Sequence, residues 1–295
     1  MKEYIICENF FPGATSLRKE YSDAFADPRS THAKRFVWDF WYQNEQYRHL
    51  RTPALDFFSD KKMQAFLKRL TLWGQENLGC SAISPPWLSY YVDGCYQSLH
   101  GDVPHGPFAF VFSLSSDSSA LRGGKTLLLK ERILDFWSKL DPTLGFESGD
   151  VLHKIENKFN DLLVFDPRVP HGVEEVKGTV DPLLARVVIH GWFTEPMPFV
   201  VGALDTESIE DSLGENLQSL FKKHPAPELS GILTLKINIA ASGKVLSLKT
   251  VIDSTRGPHC DAKEKFLSAV NKIVKAWSFP KARGVSQLTL PLYFK

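Results

Sequence analysis

Apolar positions near the start of the chain follow a helical spacing. Met63, Phe66, Leu67, Leu70 and Trp73 fall on one side of a helix predicted over Lys61 to about Asn77. Asp60 stands at its cap and Gly79 at its stop. Residues 1–85 read as mixed and mainly helical. Residues 34–48 hold Phe36, Trp38, Phe40, Trp41, Tyr42 and Tyr47. No basic stripe accompanies these aromatics, so they are expected to be core, or else a pocket wall, rather than a nucleic-acid platform. From about residue 86 to 194 the runs become short and strand-like: Trp87–Val92, Phe108–Leu114, Thr126–Leu129, Asp161–Phe165 and Ala185–Phe193. Gly, Pro and Asp punctuate them. Many short strands with turns between them predict a sandwich, barrel or jelly roll.

Residues 196–228 carry four prolines and an acidic stretch, and read as a linker with a short helix near Leu213–Lys223. The pattern then restarts. Ile232–Ile239 and Val245–Ile252 alternate as strands around an Ala241–Lys244 turn. Residues 261–277 place Phe266, Leu267, Val270, Ile273 and Val274 on one helical side, and Leu288–Phe294 is a last strand. This ββαβ unit is large enough to be a small domain.

Composition narrows the function classes. Of 295 residues, 43% are hydrophobic and 23% charged, which fits a globular chain. Lys and Arg total 35 against 34 Asp and Glu, so no general attraction to nucleic acid or anionic membrane is expected. No apolar run approaches the ~18–20 residues that span a bilayer, and the first residues lack a signal peptide's apolar segment. Cys7, Cys80, Cys95 and Cys260 form no C-x-x-C pair, which argues against a zinc knuckle or a disulfide scaffold. The expected setting is cytoplasmic.

The segment richest in chemistry runs from Tyr91 to Asp102. Alternate residues of a strand share a face, so His100 and Asp102 can point the same way and occupy adjacent positions on one metal ion. A third ligand must come from elsewhere, and His171, after a buried-looking strand, is the candidate. Two imidazoles and one carboxylate on one face match the facial triad of non-haem Fe(II) oxygenases. By itself an H-x-D is a common chance pattern, and a surface-turn histidine is the competing reading. Arg186 adds weight. It sits in the apolar run from Ala185 to Ile189, and burial there is costly unless the guanidinium meets an anion. That anion is either an internal Asp or Glu, or a carboxylate co-substrate held by a bidentate clamp.

Taken in order, Tyr91-x-x-Gly94, His100-x-Asp102, Gly123-Gly124-Lys125-Thr126, Phe165-Asp166, His171, Arg186 and Gly191-Trp192-Phe193 resemble the 2-oxoglutarate/Fe(II)-dependent oxygenases, in particular the prolyl-4-hydroxylase-like branch. The resemblance covers about residues 86–194. It implies a double-stranded β-helix, or jelly roll, preceded by helices. It also implies that His100, Asp102 and His171 hold Fe(II), that Arg186 binds the distal carboxylate of 2-oxoglutarate, and that Tyr91 and Thr126 help. O₂ is the second co-substrate, ascorbate the reductant, succinate and CO₂ the co-products. The implied reaction is hydroxylation of an unactivated C–H bond. The implied substrate is a protein or peptide side chain, with a free amino acid or other small metabolite as the alternative. Asp102 speaks against the related halogenases, which replace this carboxylate with a small residue. Val188 departs from the family, where Ser or Thr is common two residues after the arginine. The interval from His171 to Arg186 is also longer than usual, with 179–182 as an apparent insertion.

Four neighbours have places that the pattern leaves open. His105 has the opposite parity to His100 and follows Pro104, which assigns it to the substrate pocket or to supporting a ligand rather than to the metal. His190 shares the parity of Arg186 and either points into the barrel or is a hydrogen-bonded core histidine. Arg122 and Arg168 flank motif segments, at substrate or in solvent. Gly123–Thr126 is not a phosphate loop, because position 119 is Ser where that motif needs Gly.

Residues 229–295, with Trp277-Ser-Phe-Pro280 after a helix, resemble the C-terminal domain of TonB-type proteins. That implies a protein-contact or dimerising appendage, or a passive cover for the barrel edge. The expected organisation is therefore an oxygenase domain over 1–195 (a helical segment over 1–85 and a jelly-roll core over 86–194), a linker over 196–228 and an accessory domain over 229–295. The competing class is a non-catalytic binding protein on an oxygenase-like scaffold.

Overall fold

Phe66 shows why the long helix near the start of the chain forms where it does. Its ring is fully buried, edge-on to Phe11 at 5.4 Å and tilted against Phe112 at 4.8 Å. Met63, Leu70 and Trp73 bury with the same periodicity. The computed structural model describes residues 3–27, 39–102, 105–116, 120–130, 151–156 and 158–294. The expectations for Phe36, Trp38 and Pro104 lie outside these. Two compact units emerge: Lys2–Arg69 with Ile83–Thr194, and Leu70–Ala82 with Glu195–Lys295.

In chain order the elements begin with β1 (Tyr4–Cys7), α1 (Ala14–Phe25), β2 (Asp39–Gln43), β3 (Tyr47–Pro53), α2 (Ala54–Phe57), α3 (Asp60–Asn77) and β4 (Cys80–Ile83). They continue through β5 (Trp87–Tyr91), β6 (Tyr96–His100), β7 (Phe108–Ser113), β8 (Thr126–Leu129), β9 (Leu152–Ile155), β10 (Leu162–Phe165), β11 (His171–Val173) and β12 (Arg186–Pro196). So the described part of residues 1–85 carries four strands as well as helices. Helix α3 starts after Ser59, whose carbonyl accepts from Lys62 and Met63, so Asp60 lies in the first turn rather than at the cap.

The strands hydrogen-bond in the order β1-β10-β7-β12-β5-β3-β6-β11-β8-β9, with β2 added to β3. Four strands lie between β12 and β8 in that order, yet Arg186 Nη2 on β12 donates to Thr126 Oγ1 on β8 at 3.2 Å. The antiparallel sheet therefore curls back on itself as a half-barrel, the expected mainly β core with flanking helices. Alternation decides what faces the hollow: Tyr47, His49 and Arg51 on β3; Trp87 and Tyr91 on β5; Arg186, Val188, His190 and Trp192 on β12.

The aromatic run behaves otherwise than expected. Phe40, Trp41 and Tyr42 are exposed, not core. They belong to the β2–β3 hairpin, where Phe40 and Tyr42 stack on each other on one face (6.1 Å), while Trp41 lies over Arg51 on the other. The pocket-wall reading holds for Trp41 and Tyr47.

The second unit is a smaller antiparallel sheet, ordered β13 (Phe199–Gly202), β16 (Ser286–Phe294), β14 (Gly231–Ile239) and β15 (Val245–Asp253). Helices α4 (Thr206–Lys223) and α5 (Cys260–Val274) cover one face. Ile209, Leu213, Leu220, Phe266, Val270 and Val274 bury against Leu233, Leu235, Ile237, Leu288, Leu290 and Leu292. Residues 196–228 are thus not a plain linker. They supply an edge strand and an 18-residue helix that a capping box from Asp205 and Ser208 starts well before Leu213. The end of α3 joins this unit because its last carbonyls lack helical partners: Thr289 donates to the Glu76 carbonyl at 3.0 Å and Thr234 to that of Leu78 at 2.8 Å. All four cysteines are free thiols. No helix among the described residues is long and apolar enough to cross a membrane.

Candidate metal and carboxylate site

Strand pairing creates the first half of the site. His171, the first residue of β11, lies directly opposite His100, the last of β6. Asp102 follows β6 by two residues, its backbone N–H bonded to the Pro167 carbonyl at 2.9 Å. The turn before His171 is held by Asp166, which accepts from Arg168 Nε at 3.0 Å and pairs with Arg168 Nη2 at 2.6 Å.

Both imidazoles are oriented through the same nitrogen. His100 Nδ1 lies 2.8 Å from the Ser98 carbonyl, and His171 Nδ1 lies 2.9 Å from the Val169 carbonyl. A carbonyl can only accept, so Nδ1 carries a proton in each ring, and Nε2 is the nitrogen turned towards Asp102. The two Nε2 atoms sit 3.6 Å and 3.3 Å from opposite oxygens of Asp102, and one ligand atom from each of the three residues lies within 4.8 Å of the others. Aromatic edges hold the rings: Phe165 against His171 at 4.8 Å and Tyr47 against His100 at 5.7 Å. Burial pushes the His100 pKa down. Burial works against the Asp102 carboxylate, but the His171 hydrogen bond and the neighbouring imidazoles hold its pKa below the ordinary value. The donor set suits a first-row divalent ion: two imidazoles and one carboxylate, with carbonyls orienting both rings.

The second half is Arg186. It is 7% exposed, and among the described residues no Asp or Glu pairs with it. Besides the Thr126 bond, its Cζ lies 4.7 Å from the centre of the Tyr91 ring, its cross-strand neighbour. Its Nη1 is buried without a hydrogen-bond partner, and burial lowers its pKa. An internal salt bridge is thereby excluded among the described residues. A desolvated cation with a spare donor has the chemistry to receive an anionic group. Thr126 is 3% exposed, and Tyr91 donates from its hydroxyl to Gln97 Oε1 at 3.0 Å. Gly123 and Gly124 bring Thr126 in. Both have positive φ; a Cβ on Gly123 would sit 2.0 Å from the Glu175 carbonyl oxygen, and one on Gly124 would sit 3.2 Å from Arg186 Cδ. Val188, where family resemblance expects a hydroxyl, packs with Tyr91, Cys95, Val173 and Val176.

One cavity of about 690 Å³ joins the triad, Arg186, Thr126 and Tyr91. His105 lines it, stacked on Trp192 at 4.5 Å, apart from the cluster of possible ligands. His190 lines it too, with Nε2 2.8 Å from Ser89 Oγ; burial takes its pKa down to about 4. Arg122 and Arg168 do not line it: Arg122 is exposed and bridges Lys177 through the backbone, and Arg168 is bound to Asp166. Sequence reasoning missed His49, Arg51 and Trp87 on its wall. The available signal was Tyr47-x-His49-x-Arg51, a period-two pattern in a stretch read as mainly helical. His49 is stacked on Tyr91 at 5.2 Å, and burial drives its pKa to about 3.

No family model and no curated protein matches the chain. Among solved structures, it is similar to a Pseudomonas putida prolyl-4-hydroxylase (16% identity, TM-score 0.44), over 65% of this chain and 92% of that one. It is also similar to a Trichoplax adhaerens prolyl hydroxylase in complex with a hypoxia inducible factor peptide (16%, 0.44; 65% and 83%). A third is EctD from S. alaskensis in its apo form (17%, 0.41; 64% and 71%).

Proposed function

We propose that the chain is an Fe(II)- and 2-oxoglutarate-dependent oxygenase that hydroxylates a C–H bond. The observation that carries this reading is the pairing, in one cavity, of a triad whose ligand atoms lie within 4.8 Å of one another and a buried arginine with no acidic partner among the described residues. His100, Asp102 and His171 would hold the metal. Arg186 and Thr126 would take the far carboxylate of the 2-oxo acid, with Tyr91 as the aromatic wall beneath the guanidinium. With both bound, the metal supplies O₂ activation: the 2-oxo acid is oxidised to succinate and CO₂, one oxygen atom of O₂ enters succinate, and the other ends as the substrate's hydroxyl.

The chain's own contribution is placement. The Ser98 and Val169 carbonyls orient both ligand rings, so no ring has to flip on loading. Val173 and Val188 line the cavity with Arg186 and would limit water at the carboxylate, which strengthens each charged hydrogen bond there. Purified full-length protein with Fe(II), ascorbate and labelled 2-oxoglutarate is expected to form succinate above background. It should also bind 2-oxoglutarate in the presence of Mn(II). Absence of both results refutes the reading.

A further inference from the structure

Arg186 lines a second cavity besides the one that holds the triad. This smaller hollow, of about 400 Å³, has Gly124, Lys125, Glu156 and Lys158 among its described lining residues. His100, Asp102 and His171 are not among them. Gly124 lets the arginine stem come up to it: a Cβ there would stand 3.2 Å from Arg186 Cδ, tighter than ordinary contact. Thr126, after Lys125, opens strand β8 and not a helix, so an anion here is held by side chains rather than by a phosphate loop.

Charge gives this cavity its chemistry. Among the described residues three cations and one acid line it: Lys125, Lys158 and Arg186 against Glu156. The carboxylates nearest Lys125 in the fold are engaged elsewhere, Glu174 with Lys154 at 3.3 Å and Glu175 with Lys177 at 3.2 Å. Asp161 feels the Lys158 charge, yet its Oδ2 accepts from the Lys158 backbone N–H at 3.2 Å. Neither lysine forms an ion pair among the described residues, and nor does Glu156. A concave surface with one dominant sign concentrates the field and draws anions. An ammonium brings three rotatable donors, which suits the tetrahedral oxygens of a phosphate-like ion. The arginine is the independent sign of a ligand. It is 7% exposed and its Nη1 is buried without a hydrogen-bond partner, which native proteins rarely leave so.

We propose that this cavity is a second anion site, for a small oxyanion of the phosphate type, held by Lys125 and Lys158 with Arg186 as the wall it shares with the co-substrate's site. Its occupant and the 2-oxo acid then weaken each other's binding, because two like charges draw on one guanidinium. The anion site itself is independent of the oxygenase reading; the mutual weakening rests on it.

The test uses the full chain and inorganic phosphate as the probe, with chloride keeping the ionic strength constant so that screening does not change. Without metal, phosphorus NMR should show saturable phosphate binding below about 50 mM. Lys125→Ala and Lys158→Ala together should weaken it by about fivefold or more. With Mn(II) present, saturating phosphate should weaken 2-oxoglutarate binding about fivefold or more, read by calorimetry. That effect should level off, as coupling between separate sites does, and 2-oxoglutarate should weaken phosphate by the same factor. Absence of saturable phosphate binding overturns the proposal, as does unchanged phosphate binding in the double variant. A weakening that grows without limit also overturns it, because both ligands would then compete for one place. So does an unchanged 2-oxoglutarate affinity at saturating phosphate. If 2-oxoglutarate fails to bind even in chloride, the oxygenase reading falls and the phosphate titration still decides the anion site. Because saturation and levelling-off are read on the unaltered protein, a folding defect in the variant does not blunt the test.

Discussion

Replacing Arg186 by Met should move stability and ligand affinity in opposite directions. In the ligand-free protein the guanidinium is desolvated, its Nη1 is unpaired, and no described carboxylate balances its charge. Met keeps most of the aliphatic stem beside Gly124 and removes the buried charge. Exchanges of buried ionic groups for apolar ones are often neutral, or stabilising by about 1–4 kcal/mol. For a chain of this size that is a rise of roughly 2–8 °C in Tm, or no change. The 2-oxo acid loses its charged partner at the same time. Truncating one member of a buried, hydrogen-bonded charge pair costs about 2–5 kcal/mol, roughly thirtyfold to several thousandfold in Kd. Differential scanning fluorimetry without ligand, and calorimetric titration with Mn(II) and 2-oxoglutarate, read the two effects separately. A clear fall in Tm together with unchanged 2-oxoglutarate affinity would refute the reasoning, because Arg186 would then be a structural cation with an internal counter-charge.

Asp102→Ala removes the only carboxylate of the triad and should abolish both hydroxylation and stoichiometric Mn(II) binding, followed by electron paramagnetic resonance. Gly123→Ala forces a Cβ against the Glu175 carbonyl at a positive φ. It should cost about 1–3 kcal/mol in urea denaturation and weaken 2-oxoglutarate binding by displacing Thr126. His49 is 1% exposed and its pKa in the folded chain is about 3. The unfolded chain protonates it near pH 6.5 while the folded chain does not, so stability falls as pH drops from 6.5 towards that lower value. The slope is about 1.4 kcal/mol per pH unit. Between pH 6.5 and 5, His49→Gln should lessen the acid-induced loss of stability by about 1.5 kcal/mol, measured by denaturant titration at both pH values.

Much of this protein is legible from its order of residues. The candidate ligands His100, Asp102 and His171 can be proposed because an H-x-D spacing in extended chain lets the first two point to one side, even though β6 ends at His100. Arg186 can be read because a cation in an apolar strand needs an anion. The alternating runs after residue 86, and the amphipathic pattern of α3 and α5, are local facts of period two and 3.6. Tertiary structure decided what depends on distant partners. Curling of the sheet, not local pattern, brings Thr126 to Arg186 across four intervening strands, and it shows that no described acid reaches that arginine. Pairing of β2 with β3 turned an aromatic run that looks like core into a hairpin with Phe40 and Tyr42 in solvent and Trp41 over Arg51. Threonines of the small sheet, distant in sequence, drew the end of α3 into the second unit by satisfying its last carbonyls. Side-chain periodicity is written along one strand, but which charge is left unpaired inside a hollow depends on every strand that closes it.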